Sequence, residues 1–329
     1  MKPYRRFNIG LLIAVPLIVG LYLTSIYFFY FDEKDNSFSI QTYLEYKDDL
    51  AKKIKGNKIL FSSGSNNFLG IRAYQIADEY NVPAVNLSVH AGLGTSYIIE
   101  RVKRVAKSGD VVILPLEYGN LTYNGDESVV LNKYLLSYDK AYFNANFDFT
   151  EKLSIISSIS ILDLFSHLFM PISEYEKKQV KDNFLKDLNK NGDMLHMTEH
   201  DSLKTKKNPF KLPDPITLET LALKEITEFN EYCKKNGILL YITFPNIVYD
   251  KAYETNKYEQ YFNFLNSYFS KHDVNIIGTP ENAMYPRELF FDSEYHLISR
   301  GSDLRTDDFI EQMNKDKVLL NRLNEMKKD

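Results

Sequence analysis

The chain has 329 residues and one cysteine, Cys233. A single thiol excludes an internal disulfide framework and a cysteine-rich metal site. Its place in a helical pattern reads as a packed small hydrophobe. A positive excess is also missing. Forty Lys and Arg against 44 Asp and Glu leave a net charge of −4, so nothing resembles the basic footprint of a nucleic-acid binder. There is no internal repeat at solenoid periods and no long low-complexity tract. With 44% hydrophobic and 14% aromatic residues, a chain of this length can build one large domain or two small ones around a sizeable core.

Charge is missing altogether from Phe7 to Phe31, a run of 25 residues. That is enough to span a hydrocarbon core of about 30 Å. Tyr22, Tyr27, Phe28, Phe29 and Tyr30 fall where an interfacial aromatic belt belongs, and Lys2, Arg5 and Arg6 precede the run. The positive end is expected to stay cytoplasmic, with everything after Asp32 outside. A cleaved signal peptide fits less well, because the run is too long and bulky aromatics occupy the cleavage position. Residues 1–31 therefore read as cytoplasmic tip and single-pass membrane anchor. Residues 32–57 read as an amphipathic linker helix over Phe38–Ile54, and 58–329 as an extracytoplasmic domain.

The domain alternates. Strand patterns at Ile59–Ser62, Ala84–Val89, Asp110–Leu116, Ile238–Phe244 and Val274–Ile277 are separated by helical patterns, among them one directly after the Ser65 turn with Leu69, Ala73, Ile76, Ala77 and Tyr80 on one face, and Thr95–Lys107, Thr217–Lys235, Tyr258–Ser270 and Ser299–Asn314. The third strand is almost wholly apolar, as a buried parallel strand must be. The spacing argues for right-handed crossovers and an open parallel sheet of α/β class. An insertion over about 125–215 breaks the alternation. Within it, Leu153–Met170 is apolar nearly all round and reads as a buried helix, or else as a membrane-facing or lid helix. Glu174–Asn208 reads as lysine-rich surface structure, and the tail Lys315–Asp329 as a solvated helix.

In an open parallel sheet, ligands bind beyond the carboxyl ends of the strands. Three turns converge there: Gly64-Ser65-Asn66-Asn67, His90-Ala91-Gly92-Leu93-Gly94 and Glu117-Tyr118-Gly119-Asn120. A serine at a strand-to-helix turn sits where backbone N–H groups favour negative charge, as an acyl-transfer nucleophile requires. Capping alone also explains Gly-Ser-Asn turns. Asp292 and His296 precede the last core helix, so a serine early and an acid–histidine pair late give one of the chain orders of an acyl-transfer triad. Glu294 is a rival acid, and His90 an alternative base without an adjacent acid. His167 and His272 read as structural or surface residues. His196-Met197-Thr198-Glu199-His200 matches H-x-x-E-H, but its surroundings carry weak helix signals, so zinc is not expected.

Taken together, these residues resemble the SGNH (GDSL-type) hydrolase superfamily. The likeness is greater to its membrane-anchored branch of polysaccharide O-acetyltransferases and teichoic-acid D-alanyl transfer proteins. It covers roughly Lys58–Met313, the insertion excepted. The resemblance implies a three-layer, flavodoxin-like sandwich with a mainly parallel five-stranded sheet. It implies Ser65 as nucleophile, Gly92 as a donor to the oxyanion hole, and Asp292 and His296 as acid and base. Such a protein moves an acyl group, most simply acetyl, onto a cell-surface or secreted polysaccharide. It uses no cofactor of its own and receives the acyl group from a membrane-bound O-acyltransferase partner. An esterase or deacetylase of the same fold, or a non-catalytic anchored subunit, are the alternatives. Two positions depart from the pattern. The usual Asp-x-x-His is here Asp-x-x-x-His, and Glu117 stands where the third block offers an oxyanion-stabilising Asn. A carboxylate donates no hydrogen bond unless protonated. Either Ser65 and Gly92 are joined by another donor (Asn66, Asn67 or Asn120), or catalysis is impaired.

Overall fold

A computed structural model of the chain describes residues 3–32, 37–125, 128–162, 181–195 and 208–327. It divides into two compact units, Met1–Gln41 with Glu127–Asp182 and Thr42–Asp126 with Asn183–Asp329.

The first unit is helical. It holds α1 (Pro3–Asp32), the start of α2 (Phe38–Lys53), and α7 (Val129–Ser137), α8 (Lys140–Asn146) and α9 (Phe149–Ser157) of the insertion. α1 contains one apolar window, Tyr4–Tyr27, long enough to cross a membrane. α9 opens on a reciprocal cap: Asp148 accepts from the Glu151 N–H and Glu151 from the Asp148 N–H. The apolar stretch from Leu153 is therefore not one continuous buried helix in its described part. α9 ends at Ser157, with Ile155 buried and Leu153 half exposed. Residues 163–180 and 196–207 lie outside the described residues, and with them His167, the H-x-x-E-H motif and much of the stretch read as lysine-rich surface.

The second unit is a mixed α/β body built on five parallel strands in the order β2-β1-β3-β4-β6: β1 Ile59–Phe61, β2 Ala84–Asn86, β3 Val111–Leu114, β4 Leu239–Thr243 and β6 Asn275–Ile277. A further short parallel pair joins β5 (Ile247–Val248) to β7 (Met284–Tyr285). All five main strands fall inside the expected runs. Ile59, Phe61, Val111, Ile113, Tyr241 and Ile277 form one buried face with residues of α4 (Ala73–Tyr80), α12 (Ser299–Met313) and α13 (Lys317–Met326). Alternate residues Leu60, Val112, Leu240 and Ile242 are buried as well, so apolar side chains point both ways, as parallel strands require. α5 (Gly94–Val105) packs against α6 (Tyr118–Leu121) and α10 (Leu221–Lys235), α10 against β4, and α11 (Asn256–Lys271) against β6.

Three expectations need correction. The helix after the Ser65 turn is not continuous. A short α3 (Ser65–Phe68) stops, and α4 begins only at Ala73. The Leu69 carbonyl is taken by the Leu297 N–H and the Ser302 hydroxyl, and buried Asp193 accepts the Ala73 and Tyr74 N–H groups. Part of the insertion is not surface. Asn86 N–H donates to the Asn191 carbonyl and Asn191 Nδ2 to that of Ala84, so this segment covers the β2 edge. The tail is not solvated all round, because Leu319, Leu323 and Met326, spaced i, i+4, i+7, are buried in the sheet's core cluster.

Candidate active site

The strand order places the site. The chain runs outward from β1 to β2, then returns past β1 to β3, so the loops after β1 and β3 diverge at the point where the order reverses. Ser65 stands on the first loop and Glu117 on the second. They are joined directly: Asn66 N–H donates to Glu117 Oε1 at 3.1 Å, and Asn66 Nδ2 to the Pro115 carbonyl at 2.7 Å. Gly64 lets the β1 turn approach the turn after β2. A Cβ there would lie 2.6 Å from Ala91 Cα and 2.7 Å from its nitrogen.

The third contributor is the loop before α12. Phe290 and Leu297 form an antiparallel bridge, and Phe291 N–H donates to the His296 carbonyl at 2.7 Å. This closure brings residues 292 and 296 to one side of a small loop, which lets a spacing of four serve where three is usual. Asn246, after β4, steadies the loop by donating from Nδ2 to the Tyr295 carbonyl at 2.5 Å. The Leu297 N–H bond to Leu69 ties it to the turn that carries Ser65.

The side chains meet as a hydrogen-bonded row. His296 Nε2 lies 2.8 Å from Ser65 Oγ, and Nδ1 lies 2.6 Å from Asp292 Oδ1. A carboxylate only accepts, so Nδ1 carries the hydrogen, and Nε2 of the neutral ring accepts from the Ser65 hydroxyl. That polarity lets imidazole take the serine proton while Asp292 steadies the cation formed. Asp292 rather than Glu294 holds the ring. Its side chain is 55% exposed and that of His296 22%. The site is thus open to water on its acidic side, and the carboxylate acts through a screened field.

Glu117 is the unusual neighbour. It is half-buried beside Ser65, and its pKa is pushed up to about 7. Loss of hydration is the main cause; the Asn66 N–H opposes it, and nearby Glu294 adds to it. His90 is on the same rim, with its pKa lowered by desolvation and then by nearby His296. It does not bond to Ser65. Its Nδ1 accepts the Gly92 N–H at 2.9 Å, so the glycine donor expected for the oxyanion is engaged by a ring two residues away.

The side-chain amides of the three asparagines are bonded to neighbouring turns. Asn66 is fully buried, its amide shared between Ser63 Oγ and Pro115. Asn67, also fully buried, donates to Asn86 and Ser88. Asn120 donates to the Ala91 carbonyl. His272 lies tilted against Tyr268, with ring centroids 4.4 Å apart. Among the described residues no group of three or more His, Cys, Asp and Glu could hold a metal ion. Several residues that shape the site carried no motif in the sequence. Asn246 was visible only as a Pro-Asn pair after a strand. Lys47 of α2 donates to the Ser88 carbonyl and lies 3.8 Å over the ring of Phe68, in the short helix that Ser65 opens.

No family model matches the chain, and no curated protein is similar to it. Among solved structures it is similar to the protein YxiM of Bacillus subtilis, with 10% identity and a TM-score of 0.38 over 80% of this chain. The chain spans 57% of that protein's length.

Proposed function

We propose that this chain is a membrane-anchored serine acyltransferase acting on a cell-surface or secreted polysaccharide. Ser65 attacks the carbonyl of a donor ester, and His296 removes its proton while Asp292 orients the ring. The tetrahedral intermediate collapses with the proton returned to the leaving alcohol, giving an acyl-Ser65 ester. A sugar hydroxyl, deprotonated by the same imidazole, then takes the acyl group; water in its place makes the chain an esterase. The 2.8 Å contact between Ser65 Oγ and His296 Nε2 carries this reading.

The donors to the oxyanion are the Ser65 N–H and the protonated carboxyl of Glu117, which takes over the part that an asparagine plays in the resembling family. The strand order, with a short strand beyond the first and three on its other side, is that of a flavodoxin-like sheet and supports the layered fold expected of that family. The apolar window in α1 supports single-pass anchoring. The basic residues before it support a cytoplasmic N-terminus. The outer face then lacks acetyl-CoA, so a multispanning O-acyltransferase is the natural source of the acyl group.

One observation favours a second reading, a non-catalytic anchored subunit: the Gly92 N–H is bonded to His90 rather than turned to the site. Mass spectrometry of the full chain after incubation with a chromogenic acetyl ester separates the two. An acetyl adduct present in the wild type and missing in Ser65→Ala supports the enzyme. Absence of any adduct, with no ester turnover, refutes it.

A further inference from the structure

The helical unit that contains α1 exposes apolar surface that its own packing leaves uncovered. Along α9, Ile155 is buried, while Phe149 is 77% and Leu153 50% exposed, four residues apart on one face. Just beyond the helix, Ile161 is 46% and Leu162 78% exposed. In the much longer described part of the α/β unit, the exposed large hydrophobics are Leu221, Tyr249, Leu304 and Val318, widely separated in sequence.

The position of this surface along α1 is fixed by two contacts. α7 packs against α1, and the Tyr22 hydroxyl donates to the Ile156 carbonyl at 3.1 Å. On α1 the covered face is short: Ser25 is buried, Tyr22 and Ile26 are partly covered, and the other described side chains are exposed. Tyr22 lies five residues before the end of the Tyr4–Tyr27 window, about 7.5 Å along the axis. The end of α9 is therefore held level with the last turns of the apolar span.

We infer that α7–α9 lie in the interfacial zone of the bilayer that α1 crosses, with Phe149, Leu153, Ile161 and Leu162 set into the boundary between headgroups and acyl chains. The inference rests on reading α1 as a membrane span. Lipid is the occupant because the surface continues that span through the Tyr22–Ile156 bond. Interfacial helices sink their apolar face about 5–10 Å, comparable with the distance of Tyr22 from the end of the apolar window. Residues 128–162 hold Lys133, Lys140 and Lys152 against Asp139, Asp148 and Glu151. Their charges cancel, so attachment is apolar and needs no anionic lipid.

The chain has no tryptophan, so one introduced indole reports its own surroundings. Full-length protein carrying Phe149→Trp or Leu162→Trp is reconstituted in vesicles of plain or brominated phosphatidylcholine. Ile13→Trp, in the span, and free N-acetyltryptophanamide, in water, calibrate the two extremes. Both surface indoles should be quenched at least about twofold by the brominated lipid, at low and high salt alike, as Ile13→Trp is and N-acetyltryptophanamide is not. Reading two exposed sites guards against the loss of one variant to misfolding. Quenching of Ile13→Trp with neither surface indole quenched would overturn the interfacial placement and leave the span standing. An unquenched Ile13→Trp would remove the span and the inference with it.

Discussion

Glu117→Gln separates the roles of an acid and an amide beside Ser65. A carboxyl whose pKa rises from an ordinary 4.5 to about 7 on folding destabilises the folded state by about 3 kcal/mol once it is ionised in both states. Some solvent access at Glu117 makes the effect smaller. The sign follows from the direction of the rise. Below about pH 4.5 the group is protonated whether folded or not, and it makes no difference. Stability then falls as pH climbs from about 4.5 through about 7, and no further. Glutamine keeps the shape and an N–H donor but does not ionise. The melting temperature of the variant in detergent should therefore hold level where the wild type declines. At roughly 2–4 °C per kcal/mol the gap reaches several degrees at pH 8. Ester turnover tests the chemical half. If protonated Glu117 donates to the oxyanion, wild-type kcat/KM falls above about pH 7, and Glu117→Gln loses that alkaline limb while staying active. Parallel melting curves across pH would refute the buried-acid argument. A Glu117→Gln inactive at every pH, yet folded, would refute the reading of Glu117 as a hydrogen-bond donor that an amide can replace.

Other substitutions test the geometry around it. Asp292→Asn should lower kcat by less than the roughly 10⁴-fold typical of a buried triad carboxylate, because Asp292 is open to water; a burst of acetyl ester hydrolysis measures it, and a full 10⁴-fold loss contradicts the screening argument. Gly64→Ala drives a methyl into the Ala91 backbone and should destabilise by about 1–3 kcal/mol. A displacement of Ser65 near 1 Å would also reduce turnover by about 10²-fold, so wild-type kcat with wild-type melting would show that the two turns do not touch. Lys58→Met leaves Asp110 buried without the ammonium 2.8 Å away. It should remove about 3–5 kcal/mol in urea unfolding, with ester kinetics of the surviving folded fraction unchanged.

The sheet was legible because each of its strands is a short apolar run closed by Gly, Pro or Asn, and because parallel strands cannot hide a polar face. The order of the motifs was legible for the same reason, since each sits just after a recognisable strand. What could not be read were bonds between residues far apart in the chain. The break between α3 and α4 depends on Leu297, Ser302 and Asp193, none of which marks residues 69–72 locally. The tail is a different case. Its Leu319–Leu323–Met326 stripe was present in the sequence, but dense charge on the other face drew the reading toward a solvated helix.

The two departures from the resembling family turn out to differ in kind. The extra residue between Asp292 and His296 is absorbed locally, because the Phe291–His296 backbone bond closes the loop with both side chains on one side. Nothing comparable absorbs the exchange at the third block, since an ionised Glu117 next to Ser65 would repel the charge that forms there. Nor does Gly92 compensate while His90 Nδ1 holds its N–H. An oxyanion hole in this arrangement therefore needs Glu117 protonated, and the burial that raises its pKa supplies that form near neutrality. On the proposed reading, an acid in place of an amide makes turnover fall as pH rises through about 7, a dependence that an asparagine would not bring.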